Sequence, residues 1–220
     1  MVRVKVCGVT RETDLRVVAA AGADAVGAIC EVPVETPREV SRERARELFA
    51  AAPPFLTTTL VTMPESVEHA RELAREVRPD VLQLHADFSA EELASLRDEG
   101  VRVVPVVEAT DVARARAVAP VVDGILVDTP SDSGAGGTGQ THDWDASRAL
   151  ADEVDVPVIL AGGLTPDNVA VAIRAVGPDS VDVASGVEKE GGIKDHDAVR
   201  AFVTEAQNAQ DHENHEEVPA

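Results

Sequence analysis

Two side chains in this 220-residue chain stand where proton transfer could be done, Cys7 and Asp128. Cys7 closes the apolar run Val2 to Val6, and Asp128 closes a second run, Gly124-Ile125-Leu126-Val127. A carboxyl that emerges from a buried strand is partly desolvated and can keep a proton long enough to serve as a general acid. A cysteine near a helix terminus or a cation can lose its proton and serve as a base. Each also has a plainer role open to it, Asp128 as a loop cap and Cys7 as a small core residue. Their shared position at strand ends favours the chemical roles.

A second group could hold a phosphate. Gly162-Gly163 follows Val158-Ile159-Leu160-Ala161, and Ser185-Gly186 lies in Ala184-Ser185-Gly186-Val187-Glu188. Glycines allow close backbone approach, and a following helix start offers unpaired N–H groups to an anion. Two such loops in successive final units point to a phosphate site more firmly than either does alone. Arg38, in a long loop, suits a carboxylate or phosphate partner. His85 follows Gln83-Leu84 and is placed to hold a loop or a substrate group. A glycine-rich loop, 134–139, precedes His142-Asp143, which is too little to make a metal site. Metal and cofactor are expected to be absent.

The elements that must position these residues repeat along the chain. Strand-like runs are predicted at 2–6, 23–30, 55–61, 81–84, 101–107, 122–127, 157–160 and 181–184. Helical patterns follow the first around Leu15 and Val18, and the others at 41–51, 65–77, 89–99, 111–117, 145–153, 166–176 and 194–206. Eight strand–helix units argue for an α/β fold, a (β/α)8 TIM barrel occupying residues 1–206, with catalytic residues at the C-terminal ends of the strands. A doubly wound open sheet is the competing arrangement, but it usually has fewer units and often opens with a dinucleotide fingerprint that the first strand lacks. Residues 207–220 are polar and acidic, and are expected to form a disordered tail.

Composition narrows the function classes. The hydrophobic fraction is 44% with four Phe, one Trp and no Tyr, so the core must be aliphatic. Forty acidic against twenty basic residues give a formal charge of −20, a field that repels nucleic acid and anionic membranes. Such a surface suits concentrated salt, which screens repulsion between carboxylates. A phosphorylated substrate must then find local positive charge or backbone donors. Cys7 and Cys30 are expected to be reduced thiols, and the absence of a secretion signal or apolar span points to a cytoplasmic protein, monomer or homodimer.

Taken in order, these motifs resemble the phosphoribosylanthranilate isomerases of tryptophan biosynthesis, in particular a halophilic archaeal member. The resemblance rests on Lys5-Val6-Cys7-Gly8-Val9-Thr10, Thr36-Pro37-Arg38, Gln83-Leu84-His85, Leu126-Val127-Asp128, Gly136-Gly137-Thr138-Gly139 with Asp143-Trp144, and Leu160-Ala161-Gly162-Gly163-Leu164. It closes with Asp182-Val183-Ala184-Ser185-Gly186-Val187-Glu188 and Gly192-Ile193-Lys194-Asp195. It implies an Amadori-type conversion of N-(5-phosphoribosyl)anthranilate to 1-(2-carboxyphenylamino)-1-deoxyribulose 5-phosphate, with Asp128 as acid, Cys7 as base and no cofactor. It further implies that Arg38 holds the anthranilate carboxylate, that His85, Gly137 and Gly139 contact substrate, and that Gly162, Gly163, Ser185 and Gly186 bind phosphate. The chain departs from the pattern at Glu31 and Glu35, where an inward carboxylate would oppose an anionic substrate, and at His142, where Phe is common. A different phosphosugar barrel, such as an epimerase, and a catalytically silent binding barrel are the rival readings.

Overall fold

A computed structural model of the chain describes residues 1–128 and 143–211. Eight parallel strands close into a barrel in sequence order: β1 (Arg3–Val6), β2 (Ala25–Ile29), β3 (Thr57–Thr62), β4 (Val81–Leu84), β5 (Arg102–Glu108), β6 (Ile125–Asp128), β7 (Val158–Leu160) and β8 (Ser180–Val183). Closure is made by β1, which pairs with β2 on one side and β8 on the other. The helices are α1 (Glu12–Ala20), α2 (Arg42–Ala50), α3 (Val67–Val77), α4 (Ala90–Leu96), α5 (Val112–Val118), α6 (Trp144–Ala151), α7 (Val169–Val176) and α8 (His196–Asp211). The expected (β/α)8 order is therefore the observed one. A hairpin of β9 (Glu188–Glu190) and β10 (Ile193–Lys194), not expected from the sequence, intervenes before α8.

Period-two alternation decides what each strand residue faces. Val4, Val6, Val181 and Val183 pack outward against Leu15, Ile173, Val199 and Phe202. On the other side Leu60, Leu82, Leu84 and Val103 pack against Leu73, Leu93 and Val118. Aliphatic side chains fill both layers, as the shortage of aromatics required.

Four aspartates staple the bottom of the barrel. The carboxylates of Asp24, Asp80, Asp123 and Asp179 accept the backbone N–H groups of Val4, Thr58, Val103 and Val158 at 2.8, 2.8, 2.9 and 2.8 Å. Each aspartate leads into an even-numbered strand and caps the preceding odd-numbered one. The hinges Pro79-Asp80 and Pro178-Asp179 thus do more than end a helix: they pin consecutive strands at the face opposite the expected site.

Helix α8 runs past residue 206, where the tail was expected to begin. Ala206 and Ala209 are both buried, so the apolar stripe of the helix continues one turn further than its polar neighbours suggest. Loop 134–139 with Gly137 and Gly139, His142, and residues 212–220 lie outside the described residues. Among the described residues no helix is long and apolar enough to cross a membrane.

Candidate active site

Cys7 remains tied to the barrel beyond the end of β1, because its backbone N–H donates to Val183 O at 2.8 Å. Its side chain is buried at the C-terminal face. The next residue, Gly8, has φ +71°, and a Cβ there would lie 2.9 Å from Arg38 Cδ. A residue with a side chain would meet both backbone strain and a clash, so the Cys-Gly pair is what lets the stem of Arg38 lie beside the cysteine. The predicted base and the predicted carboxylate ligand are thereby brought together from separate units.

Arg38 is itself held. Its Nε donates to both oxygens of Glu188 at 2.9 and 3.1 Å, and Nη2 donates to Oε2 at 2.7 Å. Lys194 Nζ donates to Glu188 Oε1 at 2.9 Å and to Ala184 O at 3.0 Å. Burial pulls the Lys194 ammonium below its ordinary value, and Glu188 offsets part of that. Two cations around one carboxylate leave a local positive charge inside a molecule of net charge −20.

Beneath Cys7 the barrel interior is polar. Lys5 Nζ and Asp182 Oδ2 form a buried pair at 2.7 Å, on residues that are direct neighbours in the β1–β8 register. Burial alone would lower Lys5, but Asp182 and Cys7 outweigh it and hold the ammonium above its ordinary value. Burial, helped by Asp182, holds the Cys7 thiol above its ordinary value, and Lys5 and, more weakly, Lys194 pull it only part of the way back. His85 is depressed to about 4 by burial and by Lys5, so it is neutral at physiological pH. Its Nε2 lies 3.2 Å from Gln83 Nε2, which makes it the acceptor of an amide N–H. His85 therefore stands at the mouth as a neutral imidazole, not a cation. Cys30, by contrast, lies outside the barrel strands, where burial lifts its thiol to about 11.

Asp128 ends β6 at the same face, in register with Glu108 of β5. It is half-buried and stands three strands from β1, counting back through β8 and β7. The wall below it is apolar, built from Val104, Leu126 and Ala161 with Val106 and Ile159.

The two glycine loops meet. A Cβ on Gly186 would collide with the carbonyl of Leu164, so this glycine allows the loop after β8 to lie directly on the loop after β7. Gly163 and Ser185 are exposed and Gly162 and Gly186 partly so, which leaves this surface open to an anion. One detail differs from expectation. Helix α7 starts at Val169, three residues later than the pattern at 166–176 implied, because the Asn168 side chain accepts the Thr165 N–H at 2.8 Å and donates to Gly163 O at 3.0 Å. The Thr165 amide is thus already occupied, which leaves the glycine loops as the exposed backbone at this corner of the face.

The unusual loop after β2 does not intrude. Glu31 pairs with Arg42 of α2 and with His69 of α3, the latter at 2.5 Å, and Glu35 is exposed. Hydrogen bonds from Arg42 hold the Glu31 carboxyl below its usual range. Sequence reasoning missed Lys5, Asp182 and Lys194 as site residues. A signal was available: the chain has only three lysines, and Lys5 and Asp182 each stand between two valines in a strand-like run.

Fold and site together define a (β/α)8-barrel enzyme whose working face is the C-terminal one. A family model described as N-(5'phosphoribosyl)anthranilate (PRA) isomerase matches residues 4–205, and the chain belongs to that family. It is 76% identical over 221 residues to N-(5'-phosphoribosyl)anthranilate isomerase of Haloferax volcanii, covering 100% of both chains. The Halorubrum lacusprofundi enzyme of the same name is 55% identical, over 94% of this chain and 97% of that one. These place it close to the halophilic archaeal members. The crystal structure of phosphoribosyl anthranilate isomerase from Thermotoga maritima superposes with a TM-score of 0.84 at 36% identity, covering 94% of this chain and 100% of the other.

Proposed function

We propose that the chain isomerises N-(5'-phosphoribosyl)anthranilate to 1-(2-carboxyphenylamino)-1-deoxyribulose 5-phosphate, the tryptophan-pathway reaction, with Asp128 as general acid and Cys7 as general base. Asp128 protonates the furanose ring oxygen, the ring opens, and the nitrogen lone pair forms an iminium. The positive nitrogen acidifies the adjacent sugar carbon. Cys7, as thiolate, removes that carbon's proton and the electrons flow to nitrogen, giving an enolamine that becomes the ketone. General acid–base steps of this kind each contribute roughly 10² to 10⁴ in rate.

The observation that carries this reading is convergence: Cys7, Arg38 and the paired glycine loops come from distant parts of the sequence onto the face that Asp128 also ends on. Arg38 receives the anthranilate carboxylate on Nη1, since Nε and Nη2 are held by Glu188. Gly162, Gly163, Ser185 and Gly186 receive the phosphate through backbone donors. The described site is built by one chain, so monomer and homodimer serve equally, and the protein works in the cytoplasm.

The test is loss of anthranilate-type fluorescence from freshly generated substrate, without added metal or nucleotide, at low and high salt. Cys7→Ser and Asp128→Asn should fold and lose most turnover. Arg38→Ala should chiefly raise KM, by about tenfold or more, for loss of a charged hydrogen bond. Binding without turnover by folded wild-type protein would mean a silent barrel instead.

A further inference from the structure

Only three lysines occur in the chain against seventeen arginines, yet two of the three, Lys5 and Lys194, are buried; the third, Lys189, is exposed. Both buried lysines converge on one residue. A Cβ on Gly27 would lie 3.0 Å from Cys7 Sγ and 3.3 Å from Lys5 Cε, so the thiol and the lysine stem meet over that glycine. Lys194 approaches from the β9–β10 hairpin, its ammonium fixed on Ala184 O and Glu188 at the end of β8. Burying an ammonium costs several kcal/mol unless it is compensated. Neither lysine contributes outward packing to either helix layer, so the charge itself is what their positions exploit.

We infer that Lys5, oriented by Asp182, is the positioning residue that stabilises the thiolate form of Cys7, with Lys194 as a weaker second cation. This rests on Cys7 being the base. Burial alone would keep the thiol protonated and useless; a bare thiolate in that pocket would be prohibitively costly. Lys5 lies close enough to offset part of the desolvation, while Asp182 draws off part of its charge and itself opposes the thiolate. The groups around the thiol are Lys5 on β1, Asp182 on β8 and Lys194 on β10, with Arg38 and Glu188 beyond Gly8; neutral His85, just after β4, feels the same Lys5 and Asp182 charges. Of these, Lys5 exerts the largest pull toward the thiolate.

The chain contains no tyrosine, so ultraviolet absorbance of the thiolate can be titrated without phenolate interference. In a Cys30→Ser background, Lys5→Gln should move both the thiolate midpoint and the acid limb of kcat/KM upward by about one pH unit, lowering kcat/KM about tenfold at neutral pH and restoring it at alkaline pH. Lys5→Arg, which keeps the charge, should restore both midpoints. Folded Lys5→Gln protein with both midpoints unmoved would overturn the inference. Should Lys5→Gln fail to fold, the coupling can be read from the other side, since it is reciprocal. The carbon-13 signal of Lys5 Cε should show a step at the thiol midpoint in wild type and lose it in Cys7→Ala; its absence in wild type would equally overturn the inference. Full turnover by Cys7→Ser would sink the base assignment itself, a result distinct from Cys7-dependent turnover that ignores Lys5.

Discussion

The barrel interior has two unlike halves. From β8 through β1 to β4 it is lined by Asp182, Lys5, Thr59 and Gln83, with Cys7 and His85 above them. From β5 to β7 its middle is Val104, Val106, Leu126, Ile159 and Ala161, joined by Val81 of β4, with Arg102 at the lower end and Asp128 at the upper. The difference matches the two proton-transfer roles proposed for Cys7 and Asp128. A thiol must be persuaded to ionise, which takes fixed charge. The proposed acid, Asp128, stands instead over apolar side chains. On the proposed assignment, the same closed set of strands gives base and acid unlike surroundings.

This contrast can be broken at several points. Replacing Asp128 with Asn removes the acid without altering the apolar half, and turnover should fall by roughly 10³-fold with circular dichroism unchanged; near-normal turnover would deny the apolar half its chemical purpose. Asp182→Leu strands the Lys5 ammonium in the polar half, and denaturant unfolding should show a loss of about 3 kcal/mol or more. The matching experiment in the apolar half is Leu126→Met, a volume-conserving change that should cost less than about 1.5 kcal/mol and leave the pH profile of kcat/KM in place. Equal costs for the two would mean that the halves differ in composition but not in energetic role.

The smallest expected effect lies outside the barrel, where the chain's ends are joined. Asp14 of α1 is buried and accepts bonds from Arg11 at 2.9 and 3.0 Å, from His196 at 2.8 Å and from the Lys194 N–H at 3.3 Å. Burial would raise its carboxyl, but the Arg11 and His196 hydrogen bonds reverse this and hold it below the usual range. A depressed folded-state pKa gives stability that is present above the unfolded carboxylate value and lost as pH falls through the folded one. Asp14→Asn should therefore be less stable than wild type at neutral pH and lose less of its stability on acidification, by unfolding curves at both pH values. An unchanged acid limb would show that other carboxylates carry it.

Much of this was legible beforehand because it is local. Alternating apolar residues, Pro-Asp hinges and glycines marked the strands and their helices to within a few residues, and short-range periodicity is what those elements are made from. Cys7 and Asp128 could be singled out because each stands at the end of a strand, and Arg38 because it is a lone cation in the loop between β2 and α2, positions readable from one segment. The β9–β10 hairpin was not, since its two strands are too short for a pattern. The later start of α7 was not, since it depends on one Asn168 side chain choosing Gly163 and Thr165 as partners.

The sequence by itself determined the number and order of the strand–helix units, the family, and which residue types reach the working face. Tertiary structure alone decided their company. That Lys5 meets Asp182, that Arg38 lies over Gly8 and is clasped by Glu188, and that Gly186 rests on the Leu164 carbonyl are consequences of barrel closure and strand register. These contacts join residues about 20 to 180 positions apart. Charge state and desolvation depend on those neighbours through distances of a few ångströms, and no reading along the chain contains such distances.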